Sequence, residues 1–146
     1  KITYQIPNHL LNKKGKGKGV LIGGNLSLIT AIIGSNSDFD FNNHILFIED
    51  VGEYPYIIDR MIRTLDRAGK FKNLAGLIVG GFTNMKVNDI PFGSTAQEII
   101  AQVTNKYNFP ICYDFPAGHL PNNLSLVFGR EVELEVNIED VSLIQL

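Results

Sequence analysis

Residues 45–69 read ILFIEDVGEYPYIIDRMIRTLDRAG, two patterns side by side. Ile45 to Ile48 form an unbroken apolar run of strand length that ends in two carboxylates, Glu49 and Asp50. Such a run predicts a strand buried on both faces. Further on, Ile57, Ile58, Met61, Ile62 and Leu65 fall on one helical stripe, with Pro55 near its start and Gly69 at its end, and this predicts a helix over 55–68. A strand followed closely by a helix is the unit from which α/β sheets are built. The carboxylates pose a question. Either the strand surfaces into a polar loop, or a strand end holds a carboxylate for chemistry.

The same alternation extends in both directions. Upstream, GVLIGGN (19–25) predicts a strand entering a glycine turn, and LSLITAII (26–33) has helix-compatible spacing. Downstream, LAGLIVGGF (74–82) predicts a buried strand. In FGSTAQEIIAQVTNKY (92–107), Ser94 followed three residues later by Gln97 predicts a capped helix running to about Tyr107. FPICYDF (109–115) is a fourth candidate strand, and SLVFG, REVELEV and VSLIQL fill the C-terminus with β-rich segments. The N-terminal ITYQI predicts one more strand, and KKGKGKG (13–19), which lacks apolar periodicity, predicts a flexible, solvated linker. The expected architecture is a single α/β domain with a partly parallel sheet, flanking helices and an antiparallel addition at the end.

A chain of 146 residues with 45% hydrophobic content is the size of one domain with a sizeable core. A formal net charge of −2 and the lack of any apolar run of about 20 residues favour neither a nucleic-acid nor a membrane partner. Cys112 is the only cysteine, so no internal disulfide forms, and a reducing compartment fits. KITYQIPNHL contains no continuous apolar segment of signal-peptide type. A first residue of Lys1 rather than Met suggests a piece of a longer protein.

In α/β sheets ligands gather outside the carboxyl ends of the strands, which is where Glu49 falls. Three histidines could partner it. His9 and His44 have plainer readings as loop residues. His119 lies in DFPAGHLPNN, where Pro116, Gly118 and Pro121 stiffen or bend the backbone just after a strand. Alone it is an ordinary turn residue, but with Glu49 at another strand end it could be the base of a hydrolytic triad and Glu49 its orienter. Asp50 should point away, since consecutive strand residues face opposite sides. Glu53, past Gly52, is a weaker orienter than Glu49. Gly24 and Asn25 could meet a peptide substrate, the glycine by close backbone approach and the asparagine by donating hydrogen bonds, although a tight turn explains both. No histidine or His/Glu pair has metal-ligand spacing, and no metal or cofactor is expected. The serines, Ser27 and Ser94 among them, read as turn, cap or strand residues, and Cys112 as a small core residue.

GGNLSLI (23–29), the 45–69 stretch, GLIVGGF (76–82) and FPAGHLPNNLSLVFG (115–129) resemble, in order, the LD-carboxypeptidase family of serine peptidases, which includes muramoyltetrapeptide carboxypeptidases and microcin-immunity peptidases. The resemblance covers the family's C-terminal domain only. It implies a swivelling β/β/α fold in which Glu49 and His119 supply two members of a Ser-Glu-His triad. The nucleophilic serine would come from an N-terminal domain that these residues lack, since no G-x-S elbow occurs here. The implied substrate is a murein tetrapeptide, cut at its terminal L,D-peptide bond in cell-wall recycling, and the implied setting is a cytoplasmic homodimer. A microcin-immunity-type peptidase and a non-catalytic docking domain are the alternatives.

Overall fold

The computed structural model describes residues 1–146. Its elements are β1 (Ile2–Pro7), β2 (Gly15–Asn25), α1 (Leu26–Ala31), β3 (Ile45–Val51), α2 (Pro55–Arg67), β4 (Gly76–Thr83), α3 (Ala96–Thr104), β5 (Ile111–Cys112), β6 (Glu131–Val136) and β7 (Asp140–Gln145). All seven strands join in the order β1-β7-β6-β2-β3-β4-β5. β2 to β5 run parallel, whereas β1, β7 and β6 are antiparallel additions. This is the expected α/β class with a mixed sheet.

Two apolar clusters hold the fold. Leu46, Ile48, Leu77 and Val79 pack with Ile58, Ile62, Leu65, Ile99 and Ile100 of α2 and α3. The alternate residues Ile45, Phe47 and Ile78 pack on the other side against Val132, Leu134, Val141 and Leu143 of the antiparallel strands. β3 and β4 are therefore buried on both faces, which explains why ILFI shows no polar alternation. The layers run antiparallel ribbon, parallel sheet, helices.

The structure corrects the linker reading of residues 13–19. Gly15 to Val20 are the first half of β2, paired antiparallel with Val136 to Glu131 of β6. The Lys/Gly alternation has period two. Lys16 and Lys18 point to one face, where Lys16 Nζ lies 2.9 Å from Glu135 and Lys18 Nζ 3.0 Å and 3.1 Å from Glu131 and Glu133. On the other face a Cβ at Gly17 would come within 2.1 Å of the Ala75 carbonyl oxygen, and one at Gly19 within 2.3 Å of that of Asn43. Only glycine lets the strand pass so close to another backbone. The glycines signal tight packing rather than flexibility.

Smaller corrections concern boundaries. The cap of α3 is Thr95, one residue beyond the expected Ser94. Thr95 Oγ1 accepts from the Glu98 N–H at 3.2 Å and Glu98 Oε2 accepts from the Thr95 N–H at 2.9 Å, a full capping box. Of FPICYDF only Ile111–Cys112 joins the ladder, and SLVFG is loop rather than strand. α2 begins at Pro55 and closes before Gly69, whose φ of +74° ends the turn.

Candidate functional site

The parallel strands bring their carboxyl ends to one edge: β2 at Asn25, β3 at Val51, β4 at Thr83 and β5 at Cys112. The loop after β5 returns across that edge and is tied there. The Phe115 N–H donates to the Val79 carbonyl (3.0 Å), the Gly81 N–H to that of Ala117 (3.0 Å), and Thr83 Oγ1 to that of His119 (3.0 Å). The Gly118 N–H donates to Asn123 Oδ1 at 3.0 Å. His119 therefore sits on a braced main chain.

Glu49 and His119, 70 positions apart in sequence, meet here: His119 Nδ1 lies 2.7 Å from Glu49 Oε2. An ionised carboxylate can only accept, so Nδ1 carries the proton and donates it, which leaves Nε2 as the lone-pair nitrogen when the ring is neutral. The Glu49 side chain is 7% exposed and that of His119 57%, so a nearly buried carboxylate orients an accessible imidazole whose Nε2 has no partner. The hydrogen bond His119 donates to Glu49, with the charge of that carboxylate, raises the His119 pKa above the ordinary histidine value, and the charge of Asp50 adds to the effect. Glu49 borders a cleft of about 370 Å³ that is also lined by Gly24, Phe47, Gly118, Leu126 and Phe128 among others.

Glu49 and Asp50, consecutive in β3 where the β3–β4 register shifts, point to opposite sides as successive strand residues do, and both stay buried. Glu49 follows Phe47 onto the cleft side. Asp50 turns toward α1 and accepts from Ser27 and Asn25. The carboxylate of Glu53 has its hydrogen-bond contact with Ser27 Oγ at 3.4 Å, and His119 is not among its partners.

The remaining sequence candidates fall as follows. Gly24 lines the cleft. The Asn25 amide is largely committed within the protein, since its Oδ1 accepts from the Leu28 N–H as the cap of α1 and its Nδ2 donates to Asp50. His9 lies 3.4 Å from Asp114, and His44 bonds the Asn42 carbonyl. Cys112 is buried, and burial pushes its thiol up to about 12, so no thiolate forms. Ser94 Oγ contacts only Gln102, at 3.5 Å. Sequence reasoning did not find Thr83 and Asn123. The paired asparagines of LPNN were the only signal of a side chain that braces the His119 loop.

The structure is thus a three-layer α/β domain with a carboxylate-oriented histidine at the carboxyl edge of its parallel strands. Residues 18–134 match the LD-carboxypeptidase C-terminal domain family, and the chain belongs to that family. A Bacillus subtilis protein named "Probable murein peptide carboxypeptidase" is 34% identical over 124 residues, covering 82% of this chain and 38% of that protein. The crystal structure of muramoyltetrapeptide carboxypeptidase from Oxalobacter formigenes superposes with a TM-score of 0.84 at 26% identity, covering 97% of this chain and 48% of that one. The microcin C7 self-immunity protein of Escherichia coli is 28% identical over 132 residues, 88% of this chain and 37% of that protein. The chain thus spans less than half the length of each.

Proposed function

We propose that this chain supplies the general base and its orienting carboxylate to a serine carboxypeptidase that removes the terminal D-amino acid of a murein tetrapeptide at an L,D-peptide bond. The observation that carries the reading is the 2.7 Å contact of His119 Nδ1 with nearly buried Glu49, which leaves Nε2 free toward solvent. Murein-peptide carboxypeptidases among the relatives support the substrate class. The serine comes from residues outside these 146. Ser27, in the first turn after β2, donates to Asp50 at 2.7 Å rather than to an imidazole.

In this mechanism the serine Oγ attacks the carbonyl carbon of the scissile bond while His119 Nε2 takes its proton. Glu49 holds the ring in the Nδ1–H tautomer and stabilises the imidazolium that forms. The imidazolium then protonates the leaving amine as the C–N bond breaks, which leaves an acyl-enzyme. Water attacks that ester with Nε2 again as base, and the serine is restored. Backbone N–H groups outside this chain stabilise the oxyanion.

The test is release of the terminal D-amino acid from murein tetrapeptide by the full-length protein, followed by mass spectrometry. Activity lost on His119→Ala and reduced at least about 100-fold by Glu49→Gln supports the reading. Full activity in His119→Ala would refute it. The microcin-immunity relative, one structure of which is in complex with aspartyl sulfamoyl adenosine, supports a second reading, a microcin-immunity-type peptidase acting on a nucleotide-peptide, and turnover of that class with no turnover of tetrapeptide would select it.

A further inference from the structure

Asp50 takes no part in that mechanism, yet it is 2% exposed and has no cationic partner among the ion pairs of the chain. A buried carboxylate without a counter-charge costs several kcal/mol unless hydrogen bonds saturate it. Four donors do so here. Oδ1 accepts from Asn25 Nδ2 at 3.1 Å and from the Val51 N–H at 2.9 Å, and Oδ2 from the Ser27 N–H at 3.0 Å and Ser27 Oγ at 2.7 Å. Three of the four come from residues 25 and 27, where β2 becomes α1.

We propose that Asp50 is a positioning residue that locks the Gly24–Asn25 turn and the first turn of α1 to the end of β3, fixing the Gly24 wall of the cleft that Glu49 and Gly118 also line. Asn25 shows how the lock works. Its amide must present Oδ1 to the Leu28 N–H to cap α1, and a flipped amide would present NH₂ to a donor. Asp50, which only accepts, holds Nδ2 and so selects the capping orientation. α1 has only six residues, too few to hold itself in place, so its start depends on this anchor. A substrate entering the cleft meets a backbone at Gly24 that is fixed from behind by a carboxylate on the opposite side of the sheet from Glu49.

The charged and titratable neighbours are few. Glu53 reaches the same Ser27 hydroxyl at 3.4 Å, Glu49 lies on the other side of β3, and His119 feels the charge of Asp50. The lock therefore depends on Asp50 being a pure acceptor, which asparagine cannot reproduce. In Asp50→Asn the new NH₂ must face either the Ser27 donors or the Asn25 donor.

The kinetic arm of the test rests on the reading under Proposed function, and the exchange arm does not. In this chain, Asp50→Asn is expected to accelerate amide hydrogen exchange at Ser27 and Leu28 at least about tenfold, the loss of one buried hydrogen bond. Ser27→Ala, which deletes one donor and keeps the fold if Asp50→Asn does not, should accelerate exchange at Leu28 by a smaller factor. In the full-length protein, at a pH where His119 is neutral in both forms, Asp50→Asn should raise KM for tetrapeptide about tenfold with kcat within about threefold, because the cleft wall is disturbed while the Glu49–His119 hydrogen bond is kept. Unchanged exchange at Leu28 in both variants overturns the lock. So does an unchanged KM in Asp50→Asn where His119→Ala is inactive. If the wild-type protein does not turn over tetrapeptide, the functional reading fails instead, and exchange alone decides the lock.

Discussion

Replacing Gly118 by alanine probes how closely the histidine loop is fitted to its carboxylate. Gly118 has a φ of +108°, and an added Cβ would lie 2.9 Å from Glu49 Cβ, 3.0 Å from Cγ and 3.1 Å from Oε2. Ordinary carbon contacts begin near 3.4 Å, so either Glu49 or the loop must yield by several tenths of an ångström. The backbone conformation adds a cost of about 1–3 kcal/mol for a residue with a side chain. For a domain of this size each kcal/mol lowers Tm by about 2–4 °C, so a fall of about 2–12 °C is expected. The shift falls on the group that makes the 2.7 Å contact with Nδ1, and a misplacement of about 1 Å at a reacting centre costs about 100-fold. About half that displacement should lower kcat/KM of the full-length protein about tenfold. Gly129→Ala is the control: its φ is +81° but nothing lies within 4 Å of the added Cβ, so it should lower Tm and leave the His119 titration unchanged. Thermal unfolding and an NMR titration of the His119 ring in both variants provide the assay. Gly118→Ala with a wild-type Tm and a wild-type His119 titration would refute the steric argument.

Three further outcomes are expected. Because Glu49 raises the folded His119 pKa above its unfolded value, this contact stabilises the fold fully below the unfolded pKa, near 6.5, and the contribution is lost as pH rises through the folded value. Glu49→Gln should bring the NMR midpoint of His119 down, and with it the pH at which kcat/KM rises as the neutral base forms; an unmoved midpoint counts against the coupling. Serine-blocking reagents should leave this chain unlabelled by mass spectrometry, and stoichiometric labelling of Ser27 would place a nucleophile inside it. Gly17→Ala should destabilise by about 1–3 kcal/mol in denaturant unfolding through the clash with Ala75, whereas Lys16→Ala, which removes an exposed ion pair, should cost less than about 1 kcal/mol.

The sequence alone determined the α/β class and the burial of ILFI on both faces, because hydrophobic periodicity is local and each element carries its own pattern. It also determined α2, where an apolar stripe, Pro55 and Gly69 agree. Glu49 and His119 could be singled out for the same reason, each ending or following a legible strand. Local signals misled where a distant backbone set the constraint. Gly17 and Gly19 look like a linker until the carbonyls of Ala75 and Asn43 come into view. At α3 the ambiguity is local, since Ser94 with Gln97 and Thr95 with Glu98 both fit a capping box and the structure uses the second. Tertiary structure alone decided that Oε2 of Glu49 reaches Nδ1 of His119, that Gly118 leaves room for that contact, and that Asp50, which the strand alternation already turns away, finds Asn25 and Ser27 as its donors. Those contacts span up to 70 positions and depend on crossovers returning four strands to one edge. Periodicity within a window of about 18 residues does not encode such a distance, because the geometry arises only when the layers pack.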